Sequence, residues 1–85
     1  MAVVLARAEA RIDLGRLASN FRAVAAFAGK PVLGVVKADA YGHGAATVAR
    51  VLEREGAPML AVAYPDEGVA LRNAGLTIPV LVLAG

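Results

Sequence analysis

Cysteine and tryptophan are absent from the 85 residues, and histidine occurs only once. Without cysteine the chain has no disulfide, no thiolate nucleophile and no zinc site built on thiolates. With one histidine no Ser–His–Asp set can be argued, and no group of His, Asp and Glu has the spacing of metal ligands. These absences exclude several classes of hydrolase, and no bound metal is expected.

Long apolar runs and clusters of like charge are also missing. No window approaches the ~18 consecutive apolar residues of a membrane span, and the apolar start lacks the basic region of a signal peptide. Nine basic and seven acidic residues give a net charge of +2, but no block of Lys and Arg is interleaved with aromatic residues. We therefore expect a cytoplasmic protein that binds neither membrane nor nucleic acid.

Apolar and small residues are plentiful, and they alternate with helix and turn signals. Hydrophobic residues make up 59% of the chain, which excludes a disordered protein, and the length allows one domain over residues 1–85. Asp13 is a good helix N-cap, and Gly29 can end that helix in the left-handed conformation. The predicted helices cover 14–28, 45–55 and 66–74, and the apolar runs after them cover 32–37, 59–63 and 80–84.

The order of these segments predicts an α/β fold with a parallel sheet. The apolar runs are nearly continuous, as in strands covered on both faces, and each is joined to the next through a helix, which favours right-handed crossovers. Charged and apolar residues alternate over 7–13, so a further strand with one solvent-exposed face is predicted there. Because a complete (β/α)8 barrel takes ~250 residues, we expect a partial domain: the opening βα units of a barrel.

Lys37 is the most informative residue, because it stands at the carboxyl end of the first apolar strand. Parallel α/β folds place their sites at that end of the sheet. Leu33, Val35 and Lys37 share one strand face, so the amine continues an apolar row. Partial desolvation there lowers the pKa of a lysine and suits covalent chemistry with carbonyl compounds. A lysine that ends a strand is nevertheless more often structural, so Lys37 alone does not identify a site.

The loop after Lys37 has the features of a phosphate-binding segment. Tyr41-Gly42-His43-Gly44 joins the strand to the second predicted helix, whose N-terminal end favours an anion. The glycines allow close approach of the backbone, and the Tyr41 hydroxyl can donate a hydrogen bond. A lysine followed by phosphate-binding groups is what an aldehyde cofactor with a phosphate requires. Tyr41 as a half-buried packing residue remains the alternative.

Residues 35–44, with the sequence VVKADAYGHG, resemble the pyridoxal-phosphate attachment motif of alanine racemases. This motif is specific, because related decarboxylases of the same barrel type differ after the lysine. The resemblance extends over the chain through Arg11-Ile12-Asp13-Leu14, Asp66-Glu67, Leu71-Arg72-Asn73-Ala74-Gly75 and Pro79-Val80-Leu81-Val82-Leu83. It implies a TIM barrel, a homodimer, and interconversion of L-alanine and D-alanine, which supplies D-alanine to the bacterial cell wall.

The resemblance also implies roles for individual residues. Lys37 would hold pyridoxal 5′-phosphate as an aldimine and act as the base on the D-alanine face. Tyr41 would hydrogen-bond the phosphate, and Val35 and Leu83 would wall the pyridine ring. Asp39 and His43 belong to the motif without an assigned role.

The family's second base is a tyrosine from the partner subunit, and its arginine facing the pyridine nitrogen lies on a later strand. The 85 residues contain no counterpart of either. Because racemisation needs bases on opposite faces of the substrate carbanion, we expect the chain alone not to be a competent racemase.

Two other interpretations remain open. Residues 42–47 approximate the G-x-G-x-x-G pattern of dinucleotide-binding folds, with Asp66 as the candidate ribose ligand, but Thr47 replaces the third glycine and Asp66 follows Pro65. The other alternative is a non-catalytic chain that folds or assembles by pairing its open strand edges. Cofactor titration and solution mass distinguish these interpretations.

Overall fold

A computed structural model describes residues 2–8, 13–38 and 43–83. Their elements are β1 (Ala2–Ala8), α1 (Leu14–Ala28), β2 (Val32–Ala38), α2 (His43–Arg54), β3 (Leu60–Val62), α3 (Pro65–Asn73) and β4 (Val80–Val82). The four strands form one sheet in the order β1-β2-β3-β4, and each neighbouring pair is parallel. The predicted α/β fold with a parallel sheet is confirmed. Among the described helices, none is long and apolar enough to cross a membrane.

Helix α1 begins and ends where its capping residues predict. The Asp13 carboxylate accepts a hydrogen bond of 2.9 Å from the backbone N–H of Arg16, which satisfies one of the free donors of the first turn. Gly29 follows the helix with φ of 62°, a conformation that costs glycine no steric penalty. These two local interactions fix the length of α1.

The other two helices each begin slightly earlier than predicted. Helix α2 begins at His43 instead of residue 45, so Gly44 lies within its first turn. Helix α3 begins at Pro65, because the fixed φ of proline suits a first helical position where no N–H bond is required. The backbone N–H of Tyr64 donates to Glu67 Oε1 at 2.7 Å, and this contact closes the start of α3.

The strand predicted over 7–13 overlaps β1 only at residues 7 and 8, and the rest of that prediction is not tested. The structure has β1 over Ala2–Ala8, Asp13 caps α1, and residues 9–12 lie outside the described part of the chain. All seven residues of β1 are paired in register with β2, from Ala2 opposite Val32 to Ala8 opposite Ala38. The position of β1 therefore follows from its pairing with β2.

The main core lies between the helices and one face of the sheet. Phe21 of α1, Leu52 of α2 and Leu71 of α3 belong to one buried cluster that also contains Val36 and Leu60 of the sheet. A second, smaller cluster lies on the opposite sheet face and consists of Leu33, Val35 and Ala61 with Met59 against it. The two faces of the sheet are therefore distinct, one covered by helices and one formed by apolar strand residues.

Candidate functional site

Lys37 is the penultimate residue of β2, at the carboxyl end of this strand as predicted. Its partner in the ladder is Arg7 of β1. Leu33 and Val35 precede Lys37 at alternate positions, and both belong to the cluster away from the helices. Strand alternation continues this row to position 37. Position 37 therefore follows two buried apolar residues on the same strand.

The N-terminus of α2 is connected to this end of β2 by a short segment. Helix α2 starts at His43, five residues after the end of β2, and runs for 12 residues with no acidic residue in its first turn. Its first backbone N–H groups carry the positive end of the helix dipole, which favours phosphate. Residues 39–42 lie outside the described part of the chain, so the predictions for Asp39 and Tyr41 remain predictions.

Val35 lies on β2, and Leu83 directly follows β4. Val35 is paired with Ala61 and Ala61 with Leu81, so Leu83 is two residues nearer the carboxyl end than the level of Val35. Val35 is buried, whereas Leu83 is 59% exposed. The backbone N–H of Leu83 donates to the Val62 carbonyl at 2.9 Å, which extends the β4 pairing to this residue. Val35 therefore lies in the buried part of this sheet face, and Leu83 lies at its exposed carboxyl end.

Ala63 is a residue of this region that sequence reasoning did not single out. Continuing the register of Val35 with Ala61 and of Ala61 with Leu81 by two residues puts Lys37, Ala63 and Leu83 at one level. Since neighbouring strands lie about 4.8 Å apart, the backbones of Lys37 and Leu83 are about 10 Å apart. The position of Ala63 could be recognised only from the pairing of β2, β3 and β4.

The groups available at this end of the sheet are apolar side chains and backbone donors. In the described ranges, no group of three or more His, Cys, Asp and Glu residues can hold a metal ion. The sheet face below Lys37 is apolar through Val35 and Ala61, and the start of α2 supplies backbone donors for an anion. Such a surface suits a flat ring that carries a phosphate, with a lysine beside it.

Parallel strands joined through helices are the arrangement with which an α/β barrel opens. A family model described as "Alanine racemase, N-terminal domain" matches residues 12–85. The chain belongs to this family, and it carries the opening part of the family's TIM-barrel domain. β1 lies before the matched residues.

Curated relatives agree with the family match. The chain is 53% identical over 76 residues to the alanine racemase of Halothermothrix orenii, with 87% of this chain and 20% of the relative covered. It is 49% identical over 80 residues to that of Sorangium cellulosum, with 89% and 21% covered. It is 51% identical over 78 residues to that of Mycolicibacterium smegmatis, with 91% and 20% covered. The chain spans about a fifth of the length of these relatives. No solved structure matches the chain significantly.

Proposed function

We propose that this chain is the cofactor-binding opening of a pyridoxal-phosphate-dependent alanine racemase, with Lys37 as the residue that holds the cofactor. Membership of the alanine racemase family supports this proposal. The observation that carries it is the position of Lys37, at the carboxyl end of β2 and directly before the segment that leads into α2. When bound, pyridoxal phosphate withdraws electrons from the substrate and so acidifies its α-hydrogen.

The phosphate of the cofactor binds at the start of α2. The first turn of this helix has no acidic residue, so no negative charge opposes the helix dipole there. The Tyr41 hydroxyl would donate a hydrogen bond to a phosphate oxygen. Gly42 and Gly44 let the backbone approach the anion closely. Together these groups fix the distance of the ring from the phosphate end of the site.

Val35 and Leu83 would hold the pyridine ring of the cofactor at the sheet face away from the helices. Val35 is buried in this face and provides a rigid apolar floor. Leu83 is exposed at the same level as the end of β2, where it covers one side of the ring. The small Ala63 between them leaves room for a flat group. Contact with both side chains excludes water from the ring and orients it toward Lys37.

In the reaction, Lys37 exchanges the α-proton with one face of the alanine substrate. Its amine takes up the proton at Nζ and returns one to the same carbon. A second base on the opposite face completes the inversion, and by resemblance to the family this base is a tyrosine of the partner subunit. The parent enzyme is a cytoplasmic homodimer that interconverts L-alanine and D-alanine, and thereby supplies D-alanine for the bacterial cell wall.

Titration of the chain with pyridoxal phosphate tests this proposal. We expect a change in cofactor absorbance that saturates with the wild-type chain and is lost with Lys37→Ala. Lys30→Ala is the matched control, because Lys30 is the chain's other lysine and lies exposed just after α1. An equal loss with both variants would contradict the proposal. Binding of NAD instead of pyridoxal phosphate would favour the dinucleotide-binding alternative.

A further inference from the structure

The strands β2, β3 and β4 carry side chains of different size on the sheet face away from the helices. β2 carries Leu33 and Val35 on this face, and both are buried. β4 carries Leu81, which is in register with Ala61 of β3. The next position of β3 on the same face is Ala63, two residues after Ala61. At its carboxyl end, β3 therefore has the smallest side chains of the three strands.

The two alanines of β3 have different surroundings. Ala61 is 0% exposed and belongs to the buried cluster that Leu33 and Val35 also form. Ala63 is partly exposed, although β3 lies between two other strands of the sheet. In the part of the chain that the structure describes, Ala63 is therefore accessible from solvent at the level of Lys37, whereas Ala61 is covered.

We propose that Ala63 limits the size of the molecule that reaches Lys37, and that its small side chain admits the pyridine ring of the cofactor. This inference rests on the proposed function, in which Lys37 holds the cofactor and Leu83 contacts the ring. β3 lies between β2 and β4, and the continued register puts Ala63 at the level of both residues. A ring that is joined to Lys37 and contacts Leu83 therefore passes over Ala63.

A larger side chain at position 63 occupies the place where the ring crosses β3. The ring cannot avoid it by moving along the strand toward Ala61, because Ala61 and Val35 are buried there. Added carbon atoms in such a place overpack the contact. A small aldehyde without a ring, such as glyoxylate, reaches Lys37 without crossing β3. Position 63 therefore discriminates between aldehydes by size and leaves the reactivity of the lysine itself unchanged.

Labelling of Lys37 with two aldehydes of different size tests the proposal. The chain is mixed with pyridoxal phosphate or with glyoxylate and reduced with borohydride, and the label on Lys37 is measured by mass spectrometry. We expect Ala63→Leu to reduce labelling by pyridoxal phosphate about tenfold, because overpacking weakens binding, and to leave labelling by glyoxylate unchanged. Ala23→Leu is the matched control, because Ala23 lies exposed on α1, and it changes neither. If Ala63→Leu loses its helical circular dichroism, the smaller change Ala63→Val replaces it.

The results with the two aldehydes separate this inference from the proposed function. Equal labelling of the wild-type and Ala63→Leu chains by pyridoxal phosphate would overturn the inference and leave Lys37 as the cofactor residue. A parallel loss with both aldehydes would also overturn it, because position 63 would then affect the lysine instead of the size of its partner. Absence of labelling by pyridoxal phosphate at Lys37 of the wild-type chain would contradict the proposed function, and the role of Ala63 with it.

Discussion

Leu52 of α2 packs directly over Gly34 of β2, so closely that a Cβ built on Gly34 would lie 2.8 Å from Leu52 Cδ1. The same Cβ would lie 3.0 Å from Leu60 Cδ2. Both leucine side chains are fully buried, so they have little space to move. The absence of a side chain at Gly34 therefore allows α2 to approach the strand that carries Lys37 closely.

Gly34→Ala is expected to destabilise the chain by about 1–3 kcal/mol, because the added methyl group overpacks the contact with Leu52. Gly68→Ala is a suitable control. Gly68 is also buried, but its Cβ would meet Val80 Cγ1 at 3.6 Å, an ordinary contact, and alanine favours the helix. Urea denaturation measures both variants. Equal stability of the Gly34 variant and wild type would show that α2 does not pack against β2 in this way.

Arg72 stabilises the connection between α3 and β4. Its Nη1 donates to the carbonyl of Leu76 at 3.1 Å and to that of Ile78 at 2.8 Å. Arg72→Met keeps the apolar stem but removes both donors, and we expect a loss of about 1–3 kcal/mol. Arg16→Met, on the exposed surface of α1, is the control and changes the free energy of unfolding little. If the two variants unfold at the same urea concentration, these hydrogen bonds do not stabilise the connection.

Asp13→Ala removes the side-chain acceptor at the start of α1. We expect about 1 kcal/mol less stability and a lower helix content, because the N–H of Arg16 loses its partner. Asp13→Asn retains an oxygen acceptor and is expected to retain most of the stability. Thermal unfolding followed by circular dichroism compares the two. An asparagine variant as unstable as the alanine variant would assign the effect to charge instead of capping.

Tyr41→Phe is expected to weaken binding of pyridoxal phosphate severalfold without loss of fold, because it removes only the hydroxyl that we propose as a donor to the phosphate. Tyr64→Phe is the matched control and is expected to leave the affinity unchanged. Tyr64 is the chain's other tyrosine, and it is 61% exposed directly before α3. Fluorescence titration with the cofactor gives both dissociation constants. The proposed role of Tyr41 would be contradicted by equal affinity of the two variants.

The elements that could be predicted from the sequence are those fixed by local interactions. Asp13 and Gly29 define α1 through a side-chain cap and a left-handed residue, and both signals act within a few residues of the helix. β1 could not be placed because its position depends on pairing with β2, which is 30 residues away along the chain. The alternation of charge over 7–13 carried no information about that partner.

The candidate site also has one part that local sequence predicts and another part that depends on the sheet. The position of Lys37 at a strand end follows from the apolar run before it, and the family follows from the motif around it. The alignment of Lys37 with Ala63 and Leu83 depends on the register of three strands, which no local pattern specifies. The prediction for Leu83 came from the family resemblance. Ala63 was recognised only from the pairing of the strands.

Mapping the lysine that pyridoxal phosphate modifies tests the central claim most directly. The chain is mixed with the cofactor, reduced with borohydride and digested, and the label on Lys37 and Lys30 is compared by mass spectrometry. We predict label concentrated on Lys37, and loss of this selectivity when pyridoxal without a phosphate replaces the cofactor. Equal labelling of the two lysines, or none at all, would contradict the assignment of this strand end as a cofactor site.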